Sequence, residues 1–273
     1  MYIKNIMRCF AILISAFVLS PAFAQTENVL EEVVVVAQKR EQTLQEVPIA
    51  VSVVEAEVLE QAQITDMLDL QTLVPSLKVT QLQTSGNTNF LIRGFGNGAN
   101  NPGIEPSVGV FIDGVYRSRS AAAIADLPNL ERIEVLRGPQ STLFGKNASA
   151  GVINIVTAAP NMEEFGGSAE FTYGNYDQVI LKGDISGPIS DTVGFSLAAY
   201  GNSRDGWFTN LENGSDIAER DRWGVRGQLL WLPSDNTTLR LIADYDKIDE
   251  QCCGVANLVA GFTTPAIFLV GGN

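Results

Sequence analysis

Histidine is absent from all 273 residues. That removes Ser-His-Asp and Cys-His catalysis, His-ligated zinc and every motif built on a His base. Cysteine is scarce: Cys9, Cys252 and Cys253 are too few for a disulfide scaffold or a four-cysteine zinc site. Positive charge is scarce too. Lys and Arg total 18 against 31 Asp and Glu, a net charge of -13, so no basic surplus exists to neutralise phosphates and nucleic acid is not the expected partner. Beyond residue 24 no apolar run reaches the ~18–20 residues of a spanning helix. What is present is 45% hydrophobic and 18% charged, with 25 Gly and 11 Pro. That is the composition of a folded chain, neither disordered nor collagenous.

The first residues read as an export signal. Lys4 and Arg8 precede an eleven-residue apolar run from Cys9 to Leu19, and Pro21-Ala22-Phe23-Ala24 supplies small residues at the A-x-A positions. The run is too short for a membrane anchor, and Ile6-Met7-Arg8 before Cys9 is no lipobox. Cleavage after Ala24 leaves 249 residues and removes Lys4, Arg8 and no acidic residue, taking the net charge from -13 to -15. An exported chain without a spanning helix can still enter a membrane as a barrel.

Three zones follow. Residues 25–46 are polar apart from Val33-Val34-Val35-Val36, four β-branched residues between Glu31-Glu32 and Lys39-Arg40-Glu41. Such a run is strand material. It reads either as an ordinary first strand or as an edge-seeking peptide that adds to a partner's sheet. Residues 47–160 mix elements into an α+β domain. A strand is expected over Ile49–Val54, and a helical pattern split into short pieces over Val58–Val74. Further strands are expected around Phe90–Ile92, Val108–Ile112, Ile133–Leu136 and Val152–Val156, with a hairpin turn at Asp113-Gly114.

From Gly166 onward the texture changes to strict alternation. Five segments carry apolar residues at every second position: Ala169–Tyr173, Val179–Ile185, Val193–Ala199, Trp223–Trp231 and Leu239–Tyr245. Period two sustained five times predicts an antiparallel meander. Gly187–Asp191 and Pro233–Asn236 read as short turns, whereas Asn202–Asp221 is a long polar loop and another begins near Lys247. Short turns after the second and fourth strands, and long loops after the third and fifth, match the parity of outer-membrane barrels. A soluble sandwich alternates in the same way but does not account for the parity or the export signal.

Several familiar sites fail on inspection. Gly138 to Lys146 is no phosphate loop, because six residues separate Gly138 from Gly145 and Asn147 follows the Lys. Gly94, Gly96 and Gly98 lack the βαβ setting of a dinucleotide fold, and no G-x-S-x-G elbow occurs. Asp244, Asp246, Asp249 and Glu250 are enough oxygen to hold a cation, but a solvated loop start explains them as well. Asn236-Thr237-Thr238 matches a glycosylation acceptor without meaning in a bacterial-type barrel. Cys252 and Cys253 lie on the oxidising side of an exported chain, either as a vicinal disulfide or paired with cysteines beyond Asn273. No catalytic residue, metal site or cofactor is assigned, and the chain does not read as an enzyme.

A family resemblance rests on three ordered motifs. The stretch from Leu127 to Thr157 contains Glu131-Arg132-Ile133-Glu134-Val135-Leu136-Arg137-Gly138-Pro139, then Gly145 and Asn154. It resembles the end of the plug domain of TonB-dependent outer-membrane receptors. Ile92-Arg93-Gly94-Phe95-Gly96 and Val110-Phe111-Ile112-Asp113-Gly114-Val115-Tyr116 resemble two earlier plug motifs, in the family's order. Glu32 to Ala37 resembles the TonB box.

The resemblance implies an α+β plug domain followed by antiparallel transmembrane β-barrel strands, an incomplete barrel. The division would be a signal peptide (1–24), a flexible tether with the TonB box (25–46), the plug (47–160) and the first barrel strands (161–273). It implies TonB-dependent transport across the outer membrane of a Gram-negative bacterium. Ferric siderophore is the default ligand, with cobalamin, heme or glycans as alternatives, and a plug-like adaptor that does not transport as a rival. The partners it implies are TonB with its inner-membrane energising complex and outer-membrane lipid. TonB would bind Val33, Val34, Val35, Val36 and Ala37. The ligand would meet the plug apex at Asn97, Asn100, Asn101, Glu105, Arg117 and Arg119. Arg93, Glu131, Arg132, Glu134 and Arg137 are expected to supply ion pairs between plug and barrel. The 22 or so residues before Val47 leave no room for the family's N-terminal signalling domain, so plain transport is expected. The family's barrel has 22 strands and only five are seen, so the chain is expected to be an N-terminal fragment.

Overall fold

A strand that alternates apolar and polar residues must choose which face to bury, and this chain chooses oppositely in its two halves. The computed structural model describes residues 34–35, 42–45, 47–82, 84–96, 104–119, 126, 129–210 and 214–252, all within one compact unit. The export-signal reading lies outside the described residues, as do Val33, Val36, Ala37, Asn97, Asn100, Asn101 and Cys253.

The first half holds strands β1 (Val34–Val35), β2 (Gln42–Thr43), β3 (Val51–Glu55), β4 (Leu77–Leu82), β5 (Thr84–Ile92) and β6 (Phe95–Gly96). It continues with β7 (Val108–Ile112), β8 (Val115–Tyr116), β9 (Leu130–Arg137) and β10 (Gly151–Thr157). Three short helices accompany them: α1 (Ala56–Gln61), α2 (Met67–Leu70) and α3 (Ser141–Phe144). The main sheet runs β3-β9-β10-β7-β8, antiparallel except for the parallel pair β10 and β7. A second sheet runs β4-β5-β6, and β1 pairs with β2 over two residues.

Alternation sends Val54, Val108, Val110, Ile112, Ile133, Val135, Ile153 and Ile155 to one face of the main sheet. There they pack under Leu59, Met67, Leu70, Val74, Leu77 and Phe90 from the helices and the second sheet. All five residues of β7 are buried, so both faces are covered. Asp113 and Gly114 turn the β7–β8 hairpin with φ of 48° and 78°, the pairing of positive angles that a type I′ turn requires. Helix α2 starts at Asp66, whose Oδ1 accepts from Leu68 N (2.8 Å) and Asp69 N (3.1 Å), a side-chain cap.

The second half is the antiparallel meander β11 (Gly166–Gly174), β12 (Gln178–Ser190), β13 (Val193–Arg204), β16 (Arg220–Ser234) and β17 (Thr237–Ile248). A small hairpin of β14 (Phe208–Thr209) and β15 (Asp216–Ile217) folds within the long loop. Two expected turns shrink: strand pairing runs to Ser190 and Ser234, with register shifts at Pro188/Ser190 and Trp231/Ser234 absorbing the irregular residues. The long loop likewise starts after Arg204 instead of at Asn202. The parity stands: turns at 191–192 and 235–236 leave from one end, and the loop between Arg204 and Arg220 from the other. Among the described residues the sheet is not closed.

Its faces invert the rule of a globular core. Phe171, Leu181, Leu197, Trp223, Leu229, Trp231, Leu241 and Tyr245 lie on the exposed outer face. Ser196, Tyr200, Asn202, Arg222, Arg226 and Gln228 are buried on the inner face. Gly224 lies on that inner face, where a Cβ would collide with Asp246 Oδ1 and with the Tyr200 ring. Its bare backbone lets Tyr200 Oη reach over β16 to Asp246 Oδ1 at 3.0 Å.

Candidate functional site

A buried arginine needs a carboxylate, because an unpaired charge out of water costs several kcal/mol. The arginines on the inner face of the meander find theirs on the first half of the chain. Two nodes result.

The first is centred on Arg222, whose side chain is 1% exposed. It reaches Asp66 Oδ2 (3.4 Å) before α2, Asp126 Oδ1 (3.2 Å) before β9, and Glu250 (2.8 Å) just past β17. Arg220 adds a second contact to Asp66 Oδ2 at 2.8 Å. Asp66 therefore caps a helix with one oxygen and holds the sheet with the other. Asn202 Nδ2 donates to Asp126 Oδ2 at 2.7 Å. Burial pushes the Asp126 carboxyl above its ordinary value of 3.8, against the opposing pull of Arg222 and Asn202.

The second node is centred on Asp113, the turn residue of the β7–β8 hairpin. Its carboxylate accepts from Thr157 N (3.0 Å) and Thr157 Oγ1 (2.9 Å) and pairs with Arg226, with Arg240 at 3.7 Å. Arg226 also meets Asp244 (3.3 Å), which pairs with Arg117 (3.2 Å). Arg240 Nη2 donates to Thr157 O at 3.0 Å, and Gln228 Nε2 to Ala158 O at 3.1 Å. Charge-assisted bonds of this kind are the stronger class.

The residues expected to pair plug with barrel do something else. Arg132 bonds Glu134 (2.8 Å) and Glu131, and the fully buried Glu134 also accepts from Asn154 Nδ2 at 3.0 Å. That triad ties β9 to β10, where Glu134 and Asn154 are register partners. Arg137 donates to the carbonyls of Ala50 (3.5 Å) and Val51 (3.2 Å), fastening β3. Arg93 forms the β5–β6 turn with Gly94, at φ of 53° and 80°. Gly138 and Gly145 have φ of 94° and 88° on either side of α3. Of the five charges proposed for cross-contacts, none makes one among the described residues. Asp66, Asp113, Arg117 and Asp126 make them instead.

Of the expected apex residues, Glu105 pairs with Lys146 (2.7 Å) and Arg117 with Asp244, while Arg119 is exposed. The acidic group near the end of β17 is divided among partners: Asp244 with arginines, Asp246 with Tyr200, Asp249 with Lys247 and Glu250 with Arg222. No group of three or more His, Cys, Asp or Glu among the described residues is placed to hold a metal ion. Cys252 is disulfide-bonded. No described helix is long and apolar enough to cross a membrane.

Known proteins resemble this chain in both halves. The model of the TonB-dependent receptor plug domain matches residues 43–152. Residues 43–152 are thus similar to the plug of TonB-dependent receptors, and the strands that follow to their barrel wall. The pesticin receptor of Yersinia pestis is 33% identical over 197 residues, covering 71% of this chain and 27% of the relative. A vitamin B12 transporter of Vibrio vulnificus is 32% identical over 146 residues, covering 52% of this chain and 23% of the relative. The crystal structure of the ferric yersiniabactin uptake receptor from Yersinia pestis superposes with a TM-score of 0.68 at 28% identity, over 72% of this chain and 31% of that one. The chain thus spans about a quarter to a third of the length of these relatives. Its main sheet is the receptor plug, β11 to β17 are barrel wall, and the two nodes join plug to wall.

Proposed function

We propose that this chain forms the plug and part of the wall of an outer-membrane receptor that imports a bulky, scarce nutrient, a ferric siderophore, with energy delivered through TonB. The observation that carries the reading is the chemistry of the plug–wall contact. The plug has its own apolar core, and arginine–carboxylate pairs and amide bonds hold it to the wall. A contact made of polar groups can be exchanged for water and ligand without unfolding either partner, and gating requires that.

The outer face supports membrane insertion. Trp223 and Trp231 lie eight residues apart on β16, about 26 Å of strand. On a strand tilted as such barrels tilt theirs, that is about 20 Å along the membrane normal, which fits inside the ~25 Å apolar band of such barrels. The proposed division keeps residues 1–24 as a cleaved signal, 25–46 as the tether, 47–160 as plug and 161–273 as wall, in a Gram-negative outer membrane. TonB is assigned to residues 33–37. Val34 and Val35 now pair with Thr43 and Gln42, a two-residue ladder short enough to be exchanged for a partner's strand. Nothing in this scheme needs covalent chemistry.

The test is uptake of radiolabelled ferric chelates by cells bearing the receptor that contains this chain. Surface binding should survive an uncoupler and uptake should not. Deleting residues 33–37 should abolish uptake and leave binding intact. The similarity to a vitamin B12 transporter favours one second reading, cobalamin as ligand. Uptake of labelled cobalamin in place of ferric chelate would establish it.

A further inference from the structure

Arg226 is shared between the two halves of the chain. It is 4% exposed and lies on the inner face of β16. One of its end nitrogens meets Asp113 of the plug, and the other meets Asp244 of β17 at 3.3 Å. Its third donor group, Nε, is buried and has no hydrogen-bond partner among the described residues. A guanidinium presents five N–H donors in a fixed fork, so Arg226 has capacity for one more acceptor. A second carboxylate of β17 stands close by. Asp246 is the register partner of Gly224, two residues from Arg226 along β16. Diagonal neighbours on one face of a sheet lie about 7–8 Å apart, within reach of a long side chain, and the charge of Arg226 acts on Asp246. Yet Asp246 is taken by Tyr200. These two residues flank Gly224 as its partners on β17 and β13, and the tyrosine crosses the bare backbone to donate to Asp246 Oδ1 at 3.0 Å.

We propose that Tyr200 is a positioning residue: its hydroxyl holds Asp246 away from Arg226, so that Arg226 keeps its bond to Asp113 of the plug. This rests on the reading of the plug as a gate. The argument is competition between two carboxylates for one cation. Asp246 is fixed to the wall in register with β16, so it stands beside Arg226 whether or not the plug is seated. The tyrosine hydroxyl satisfies it without adding charge. Removing that hydroxyl leaves a buried carboxylate short of a donor, which is costly, and Arg226 Nε is a buried donor still open to it. With Asp244 and Asp246 both on Arg226, the wall satisfies its own arginine. Asp113 is then left with Arg240, at 3.7 Å, as its wall contact. The plug turn at Asp113-Gly114 is therefore held only while Tyr200 occupies the competing acid.

The test is ion conductance in planar bilayers, measured on the receptor containing this chain at equal amounts of folded protein. Tyr200→Phe keeps the ring over Gly224 and removes only the hydroxyl. It should raise the frequency of channel openings about tenfold, the effect of one hydrogen bond to a charged group. Asp246→Asn removes the competing charge and should open no more often than the unaltered receptor. Tyr200→Phe combined with Asp246→Asn should return to within about twofold of the unaltered receptor, because no competitor remains. That rescue separates competition from loss of packing. Openings as frequent in the double variant as in Tyr200→Phe overturn the proposal, since the tyrosine then matters without its acid. Openings unchanged by Tyr200→Phe, or raised as much by Asp246→Asn, overturn it as well. Energised uptake of ferric chelate by the unaltered receptor is measured alongside. Its absence overturns the transport reading and leaves the conductance comparison standing.

Discussion

Plug and wall use one alternating code with opposite meaning. In β10 the residues Ile153 and Ile155 are buried in an apolar core. In β16 Val225, Leu229 and Trp231 point outward and are exposed, while Arg222, Arg226 and Gln228 are buried. The plug's core excludes water, so its carboxylates migrate to the surface or into the Glu134–Arg132–Asn154 triad. The wall's outer face is apolar and exposed, as the proposed membrane setting requires, and its inner face meets the plug, so its charges face the plug. The wall therefore has no core of its own. Its inner face is completed by another domain's acids, and so its stability and the gating proposed above would reside in the same contacts.

The sharpest way to break this comparison is to remove a charge from each side. Arg222→Ala leaves Asp66, Asp126 and Glu250 facing one another in a buried site. We expect a loss of about 3–5 kcal/mol, read as a lowered thermal midpoint, with new ion conductance in planar bilayers as the plug loosens. Arg137→Ala, in a motif that resembles the family's, should leave conductance unchanged, because its bonds go to Ala50 and Val51 within the plug. New conductance from Arg137→Ala with none from Arg222→Ala would refute the assignment of the plug–wall contact to the Arg222 node.

A second pair concerns apolar residues. Ile153→Ala opens a cavity in a site with 0% exposure and should cost about 2–5 kcal/mol. Leu229→Ala, 37% exposed on the outer face, should cost less than ~1 kcal/mol, since lipid or detergent fills the space. Denaturation of the two variants in the same detergent checks this. Equal losses would mean that the outer face packs against protein, contrary to the barrel reading.

What the sequence made legible follows from the same contrast. Period-two patterns are local, so the five wall strands, their loop parity and the Asp113-Gly114 turn could all be read along the chain. The helical stretch reads as short pieces along the chain, and the structure divides it before Asp66, which caps the second. The β4–β5 hairpin was only half visible: Thr84-Ser85-Gly86-Asn87-Thr88-Asn89 carries no apolar alternation, and only Phe90–Ile92 showed as strand. The first node could not be read, because Asp66 and Asp126 lie 156 and 96 residues from Arg222. Arg132, Glu134 and Arg137 attracted the assignment because they are adjacent and motif-like, yet adjacency in a strand places alternate residues on one face of their own sheet. The signal that was available was the arginines themselves: Arg222, Arg226 and Arg240 sit in phase on the inner face of predicted strands. Inner-face cations imply acids on whatever fills the barrel.

The smallest effect tests how far burial governs the first node. The Asp126 carboxyl is raised by burial, so the folded protein takes up its proton at a higher pH than the unfolded chain does. The cost of keeping it charged is therefore fully present above the folded value and is relieved as pH falls through that value toward 3.8. Asp126→Asn has no proton to take up. Wild type should gain stability relative to this variant as pH is lowered from 7, with the difference levelling off below the ordinary carboxylate range. Comparing unfolding midpoints of the two proteins at several pH values reads this directly, because the other carboxylates of both nodes titrate in common and cancel. A difference that shrinks on acidification would mean that the Arg222 attraction outweighs burial. The first node would then be the stronger lock, and the Asp113 node the one that opens first.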